Sequence, residues 1–194
     1  CRPCPLYGDG LGIVYDRPKP GARVAILVQG PGEDEERGYR VVGYQRSGRK
    51  TEKIYEPCDS QPLIGATGYY WEHQLLPLTG LTREEVSIHN VLKCRWQKGA
   101  TKKGVPIRTN ELPPPDILHQ AIGHCTTAYL RIPDSIQLIV ACGELAWQVT
   151  DGPGDSLSEA LGGVHQWPRL QHGIPGKSRD RGLRRNYTVP CQMS

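Results

Sequence analysis

The feature that most constrains the fold is a continuous apolar run, Val24–Val28, which stops at the turn Gln29-Gly30-Pro31-Gly32. A short apolar run with β-branched residues at its ends predicts a strand that is buried on both faces. Two glycines and a proline predict a tight turn whose backbone N–H groups can face a ligand. Because ligands bind beyond the carboxyl ends of strands in open α/β sheets, the turn is a candidate site. An ordinary strand-to-helix connection is the alternative.

Further along the chain, predicted strands alternate with predicted helices. Val86–Leu92 and Ile136–Ala141 predict buried strands, and a last strand is expected near Tyr187. Helical spacing of apolar residues predicts helices over 66–76, with Tyr70, Leu75 and Leu76 on the core side, and over 116–129. Strands that alternate with helices indicate a parallel α/β sheet with helices on both faces.

Composition limits the class of protein. A chain of 194 residues with 37% hydrophobic and 23% charged residues is expected to form one globular domain. No apolar run approaches the roughly 20 residues that cross a bilayer, so we expect no membrane association and a cytoplasmic, intracellular location. The net charge of +4 is only mildly basic, so a nucleic-acid surface would need local clustering of cations. Since the sequence starts at Cys1 rather than Met, we expect a fragment or a processed form.

Cysteine usage favours a metal over a disulfide framework. The seven cysteines are an odd number, and no secretory signal precedes them. Cys1 and Cys4 form a Cys-x-x-Cys pair, which is half of a site for structural zinc, a redox disulfide or an iron–sulfur cluster. Cys125 lies on the apolar face of a predicted helix, where a plain buried cysteine is the usual occupant.

Basic residues concentrate in three stretches. Residues 39–60 predict a hairpin with a basic tip at Arg46, Arg49 and Lys50, which either is solvated or contacts phosphate. Residues 95–112 form a basic loop that contains Trp96, a composition that suits both a phosphate-tracking surface and a solvated insertion. The third stretch is Lys177–Arg185. The candidate DNA contacts in the second and third stretches are Arg95, Lys98, Lys102, Lys103, Arg184 and Arg185.

Asn90 is a polar residue inside an apolar strand. A buried amide needs hydrogen-bond partners, and a structural bond to backbone is as good an explanation as a ligand.

Taken together, these motifs resemble, in order, those of the family 4, iron–sulfur uracil-DNA glycosylases. The chain opens with Cys1-Arg-Pro-Cys4-Pro-Leu-Tyr, and Ala22-Arg-Val leads through a strand to the turn at residues 29–32. Gln61-Pro-Leu-Ile-Gly65 stands where the family has Arg-Pro-Phe-Val-Gly, and His89-Asn-Val-Leu-Lys-Cys-Arg95 where it has Thr-Asn-Val-x-Lys-Cys-Arg. A helical cysteine and Cys142-Gly-Glu-Leu-Ala146 complete the pattern.

The resemblance implies a fold, a cofactor and a reaction. The fold would be a three-layer α/β/α arrangement around a central, mostly parallel four-stranded sheet. The cofactor would be a [4Fe–4S] cluster, or zinc as the alternative, and its ligands would be Cys1, Cys4, Cys94 and Cys125. The reaction would be hydrolysis of the N-glycosidic bond of a flipped-out uracil in single- or double-stranded DNA, by a monomer or by one domain of a larger polypeptide.

The resemblance also assigns roles to the site residues. Gln29, Gly30 and Asn90 would be catalytic, with the Asn90 amide reading one edge of uracil. The uracil-binding set is Gln29, Gly30, Pro31, Gly32, Glu35, Leu63 and Asn90. Glu35 would crowd the C5 side of the base and reject thymine; a solvated acid is its alternative.

Three departures from the family pattern bear on activity. Gln29 replaces a glutamate and cannot act as a base, and Leu63 replaces the phenylalanine that stacks on the base. The family's His-Pro motif would follow Val189-Pro190, but the sequence ends at Ser194, so we expect a domain truncated at its C-terminus. The departures keep open a non-catalytic DNA-binding domain of a larger, phage-like replication or repair protein.

Overall fold

The computed structural model describes residues 4–6, 13–100, 106–109, 112–150, 165–166 and 187–191, without the side chains of 97–100, 106–109, 165–166 and 187–191. The strands are β1 (Val24–Val28), β2 (Tyr39–Ser47), β3 (Lys50–Pro57), β4 (Val86–Asn90), β5 (Trp96–Ala100), β6 (Pro106–Thr109), β7 (Leu138–Cys142), β8 (His165–Gln166) and β9 (Tyr187–Cys191). The helices are α1 (Glu33–Arg37), α2 (Ala66–Tyr70), α3 (Leu76–Thr79), α4 (Pro115–Ala128) and α5 (Glu144–Val149). A π-helical turn (Trp71–Leu75) joins α2 to α3, and a 3₁₀ turn (Arg83–Glu85) precedes β4.

The central sheet has the strand order β4-β1-β7-β9-β8. The first four strands are parallel to one another, and the short strand β8 pairs antiparallel with β9 at the edge. The predicted α/β fold with a central, mostly parallel sheet is therefore confirmed, but the sheet has five strands rather than the predicted four because β8 adds to its edge.

Residues that alternate along β1 serve two separate cores. Ala25 and Leu27 pack in one cluster with Ala121 of α4 and with Leu145 and Ala146 of α5. Ile26 and Val28 pack on the opposite face in a cluster that includes Trp71, Leu76, Val86 and Ile88. Burial on both faces explains why the β1 sequence is apolar without interruption. Helices cover the two faces of the sheet, as in a three-layer α/β/α fold.

The prediction that Tyr70 faces the core is wrong. Gly68 faces inward instead. It packs so closely against the backbone of Leu63 that a Cβ at this position would lie only 1.8 Å from the carbonyl oxygen of Leu63. Tyr70 is two residues further on, about 200° around a helix of 3.6 residues per turn, so its ring is exposed. Trp71 fills the core in its place, whereas the predictions for Leu76, which is buried, and Leu75, which packs partly buried against the same cluster, are confirmed.

Two hairpins extend from the three-layer body. Strands β2 and β3 pair antiparallel from Tyr39 opposite Pro57 to Ser47 opposite Lys50. Strands β5 and β6 pair within the stretch that was predicted as a basic loop. Whether these hairpins are insertions relative to a family stays a prediction. Among the described helices, none is both long and apolar enough to cross a membrane.

Candidate functional site

A pocket of about 490 Å³ lies beyond the carboxyl ends of β1 and β4. Its wall includes the turn Gln29–Gly32, Glu35 of α1 and Leu63, together with Lys53 and Tyr55 of β3. The volume falls in the range of small-molecule sites, and the position is that expected for a ligand site in an open α/β sheet. The predicted turn therefore does form part of a pocket.

Strand pairing fixes the first half of the turn. The N–H of Val91 donates to the carbonyl of Val28 at 2.8 Å, and the N–H of Leu92 donates to the carbonyl of Gln29 at 3.0 Å. A Cβ on Gly30 would lie 3.3 Å from the Cβ of Leu92, so this close approach favours glycine. The side-chain oxygen of Gln29 lies beside Gly143, at 3.9 Å from where a Cβ on that residue would stand. The turn is thus held between the ends of β4 and β7.

Glu35 links the two loops that form the pocket wall. Its carboxylate accepts hydrogen bonds from the N–H of Gly32 at 3.1 Å and from the N–H of Leu63 at 2.7 Å. Burial raises the pKa of the Glu35 carboxyl to about 7, although these two N–H groups, the Asn90 amide and Arg83 each lower it. Glu35 is buried, so the prediction's alternative of a solvated acid does not describe it.

Leu63 has an unusual backbone conformation. Among the described residues, Leu63 is the non-glycine residue with a positive φ, 54°. A leucine adopts this conformation only at a cost in free energy, so surrounding contacts must maintain it. Glu35 holds its N–H, and a guanidinium N–H of Arg83 donates to its carbonyl at 2.6 Å. The absence of a side chain on Gly68 leaves space for that carbonyl. The Leu63 side chain packs in the core and also forms part of the pocket wall.

The side chain of Asn90 is fully buried and lacks partners. Neither its amide nitrogen nor its amide oxygen makes a hydrogen bond within the described part of the chain. The amide is close enough to the Glu35 carboxyl to lower its pKa, although the two groups do not meet the distance and angle of a hydrogen bond, and Asn90 itself is not on the pocket wall. Unpaired buried amides are rare, and each one calls for a ligand, a water or another explanation.

The backbone of Asn90, in contrast, is held from both sides. Its N–H donates to Oδ1 of Asp16 at 3.0 Å, and Nζ of Lys93 donates to its carbonyl oxygen. Lys93 also forms an ion pair with Asp16 at 2.5 Å, and both side chains are almost completely buried. Burial lowers the pKa of the Lys93 ammonium, and the Asp16 carboxylate opposes this change.

His89 completes the cluster around Asp16. Its Nδ1 lies 3.1 Å from Oδ2 of Asp16, and its Nε2 lies 2.8 Å from Oγ of Ser87. A carboxylate only accepts, so Nδ1 donates to Asp16. This Ser-His-Asp arrangement resembles a hydrolase triad, but Ser87 has no exposed surface and lines no part of the pocket. The cluster therefore fixes the end of β4.

Three of the four predicted cysteine ligands lie in one core region. Cys4, Cys94 and Cys125 are buried in or beside the same cluster of apolar residues. The Cys4 side chain contributes to the raised pKa of Cys125, about 11, for which burial is the main cause. All three thiols also contribute, after burial and Tyr15, to the raised pKa of Tyr129. Within the described residues, however, no three His, Cys, Asp or Glu side chains meet closely enough for a metal ion, and Cys1 lies outside those residues.

The predicted DNA contacts are described only in part. Arg95 is buried on the pocket wall, and its guanidinium contacts Oε2 of Glu36 at 3.2 Å. The backbone of Lys98 lies in β5, whereas Lys102, Lys103, Arg184 and Arg185 lie outside the described residues. The role of all six predicted residues in DNA binding stays a prediction.

Sequence reasoning missed several residues that shape the site. Asp16 lies in a stretch rich in proline and glycine, more than 70 positions before its partners, and carries no local signal. Arg83 belongs to a capping box that Thr82 and Glu85 do form, but its contact with Leu63 depends on tertiary packing. Gly68 could have been suspected because a glycine in a helix costs stability and needs a packing reason.

Comparison with known proteins finds similarity to a curated DNA-repair protein. The chain is 28% identical over 178 residues to the type-4 uracil-DNA glycosylase of Thermotoga maritima, a match that spans 90% of this chain and 73% of that protein. No family model matches the chain.

Proposed function

Because this chain is a relative of the family 4 uracil-DNA glycosylases, we propose that it hydrolyses the N-glycosidic bond of uracil in DNA. The sequence similarity supports a uracil-DNA glycosylase-like function, with DNA as the partner and hydrolysis as the reaction. The observation that carries the proposal is the buried, unpaired amide of Asn90 beside the pocket beyond β1 and β4. A uracil base supplies the partners that this amide lacks.

Recognition depends on the donor and acceptor pattern of the base. The Asn90 amide offers one acceptor oxygen and N–H donors, which match an N–H and a carbonyl on one edge of uracil. Cytosine presents an amino group where uracil has a carbonyl, so it leaves a buried amide group unpaired. The nucleotide must leave the helix to reach the pocket, which is easiest in single-stranded DNA.

Catalysis would come from stabilised charge rather than from a general base. The sugar gains positive charge as the bond breaks, and uracil leaves as an anion. A hydrogen bond from Asn90 to the departing base stabilises that anion in a site shielded from water. Gln29 can orient a water molecule through its amide but cannot accept a proton. As the water oxygen bonds to the sugar carbon, the water's proton therefore passes to the uracil anion, which is released as neutral uracil.

Glu35 would act mainly on the shape of the pocket. It joins the backbone of Gly32 to that of Leu63 and thereby fixes the distance between the two walls. Its position beside Asn90 also suits the proposed crowding of the C5 side of the base, which would reject the methyl group of thymine.

Single-turnover cleavage of a labelled oligonucleotide tests the proposal. We expect release of uracil from single-stranded DNA with one uracil, and an abasic site that alkali cleaves. Thymine in the same position should give no product. Asn90→Ala should lower the rate about 100-fold or more, a loss typical of one missing charge-stabilising donor. Gln74→Ala, which removes an exposed amide that is not on the pocket wall, should leave the rate unchanged. Absence of abasic product from the wild-type chain would overturn the proposal.

A non-catalytic DNA-binding domain of the same fold is the second candidate. It is favoured by Gln29, which replaces an acid, and by Leu63, which lacks an aromatic face. This candidate predicts DNA affinity that does not depend on uracil and falls steeply with salt. A clear preference for uracil-containing DNA would exclude it.

We also propose that Cys4, Cys94 and Cys125, together with Cys1, hold a [4Fe–4S] cluster. All-thiolate ligation suits such a cluster, and the three described thiols are buried in one region of the core. The cluster would tie the N-terminal segment to the end of β4 and to α4, and its role would be structural.

Iron, sulfide and zinc analysis of the purified chain decides the identity of the metal. Equal amounts of iron and acid-labile sulfide are expected, and zinc alone would support the alternative. Cys94→Ser should lower the iron content, whereas Cys58→Ser, at a thiol outside this group, should not. Iron and zinc both absent from anaerobically purified wild-type chain would contradict a metal centre.

A further inference from the structure

The hairpin β2–β3 has two chemically different faces. Its register places the following residues on one face, here called the tyrosine face: Tyr39, Val41, Tyr44, Arg46, Thr51, Lys53, Tyr55 and Pro57. The opposite face carries Arg40, Gly43, Gln45, Ser47, Lys50, Glu52, Ile54 and Glu56. The tyrosine face therefore has no acidic residue, whereas the opposite face mixes both signs of charge.

The tyrosine face begins at the pocket. Lys53 and Tyr55 are part of the pocket wall, and Tyr39 contacts the edge of the Tyr55 ring. Tyr44 continues the face toward the tip and contacts Tyr69 of α2 edge-on. Tyr39, Tyr44 and Tyr55 are between 43% and 46% exposed, so each ring is supported by a neighbour yet remains accessible.

Cations accompany these rings along the same face. Nζ of Lys53 lies 5.8 Å from the centre of the Tyr55 ring and 3.0 Å from Oδ2 of Asp34. Arg46 lies further out, where its Nε contacts the carbonyl of Gly48 at 3.3 Å. The described residues offer its other guanidinium nitrogens no partner. The face thus presents rings, then a free cation, on a path that leads away from the pocket.

We propose that the tyrosine face binds the single-stranded DNA that flanks the nucleotide in the pocket. This inference rests on the proposed function for its DNA substrate. A nucleotide cannot enter the pocket without its neighbours crossing the rim, and part of that rim is Lys53 and Tyr55. Tyrosine rings stack on bases of any sequence, while cations neutralise the phosphates between them. The hairpin places no acidic residue on this face, and the positive charge of Arg46, which is not in an ion pair within the described residues, is complementary to the phosphates of such a strand.

Matched charge removal on the two faces tests the proposal. Affinity of the whole chain for a fluorescent single-stranded oligonucleotide without uracil is measured by anisotropy over a range of salt concentrations. Arg46→Gln should weaken binding about three- to tenfold and reduce the salt slope by about 0.7, the value for one phosphate contact on a single strand. Lys50→Gln removes the same charge one register position away on the opposite face, and it should change affinity less than about twofold.

The rings are tested separately. Tyr44→Leu should weaken binding about fivefold or more, whereas Tyr44→Phe keeps the stacking surface and should bind like the wild type. Because Tyr44→Leu also removes the contact with Tyr69, hydrogen exchange of the wild-type chain provides a measurement without any variant. Amides of residues 39–57 should become protected when the oligonucleotide binds.

The outcomes separate this proposal from the proposed reaction. If the wild-type chain binds DNA and Arg46→Gln and Lys50→Gln have equal effects, or residues 39–57 gain no protection, the tyrosine face is not the binding surface. That result can coexist with uracil release, which would leave the glycosylase proposal intact. If binding depends on Arg46 and no uracil is released, the surface is supported and the glycosylase proposal fails.

Discussion

His89 and Asn90 are neighbours on β4 and both are fully buried, yet their side chains differ in whether they have hydrogen-bond partners. Both ring nitrogens of His89 have partners, and the same cluster pairs Asp16 with Lys93. The amide of Asn90, one residue on, has none in the described chain, although its backbone is held on both sides. A buried polar group without partners lowers stability, so its presence points to a role in binding. We infer that the cluster around Asp16 is structural and that the Asn90 side chain binds a ligand.

The largest effect on stability is expected from Asp16→Asn. The substitution leaves the buried Lys93 ammonium without its counter-charge, so the free energy of unfolding should fall by about 3–5 kcal/mol in urea denaturation. The surface ion pair between Asp59 and Arg17 provides the control, since Asp59→Asn should cost less than about 1 kcal/mol. Equal losses of stability from the two substitutions would contradict a structural role for the cluster around Asp16.

The next prediction concerns the side chain of Asn90. Asn90→Ala should abolish most uracil release, about 100-fold or about 3 kcal/mol in the barrier, because the leaving base loses its hydrogen bonds. The free energy of unfolding should change by less than about 1 kcal/mol, since removing an unpaired amide offsets part of the cavity cost. Urea denaturation and the cleavage assay are run on the same preparation. A loss of stability as large as that of Asp16→Asn would make Asn90 a structural residue.

Glu35 should make stability depend on pH. Its pKa in the folded chain, about 7, lies above the ordinary value of 4.5, so the folded state binds the proton more tightly. The resulting stability is complete below about pH 4.5 and is lost as the pH rises through 7. Between pH 5 and pH 8 the free energy of unfolding should therefore fall by about 2–3 kcal/mol from this group.

Glu35→Gln isolates that contribution. The amide has one acceptor oxygen for the N–H groups of Gly32 and Leu63, so stability at pH 5 should drop by about 1 kcal/mol. The part of the pH slope due to Glu35 should disappear, which urea denaturation at pH 5 and pH 8 measures. An identical slope in the variant and the wild type would contradict the assignment.

The smallest predicted effect is a gain. Leu63→Phe restores an aromatic face where the pocket now has an aliphatic side chain, and affinity for uracil-containing DNA should rise by about 1 kcal/mol, roughly fivefold. Binding of the two proteins to a uracil oligonucleotide and to its thymine counterpart measures this difference. An equal gain on both oligonucleotides would show that Leu63 does not contact the base.

Local sequence patterns predicted the frame of the site but not the contacts that set its shape. The β1 run, the turn after it and the polar interruption at Asn90 are each visible within a few residues of sequence. The network that holds Asn90 starts at Asp16, which carries no pattern because its partners lie more than 70 positions away. Likewise, the conformation of Leu63 depends on Glu35, Arg83 and Gly68, which come together only in the folded chain.

The hairpin β2–β3 shows the same limit. Alternation and a basic tip predicted two strands, but the chemical difference between its faces depends on the register, which shifts between Val41 and Gly43. Which face overlooks the pocket could not be read from the sequence, because it depends on how the hairpin packs beside Asp34 and Tyr69.

The side-chain amide resonances of Asn90 provide the most direct test of the account. When a single-stranded oligonucleotide with one uracil on a non-hydrolysable sugar analogue is added, these resonances should shift and exchange more slowly, and the thymine counterpart should leave them unchanged. Unchanged Asn90 resonances, while those of the surrounding pocket move on uracil binding, would show that the unpaired amide does not read the base.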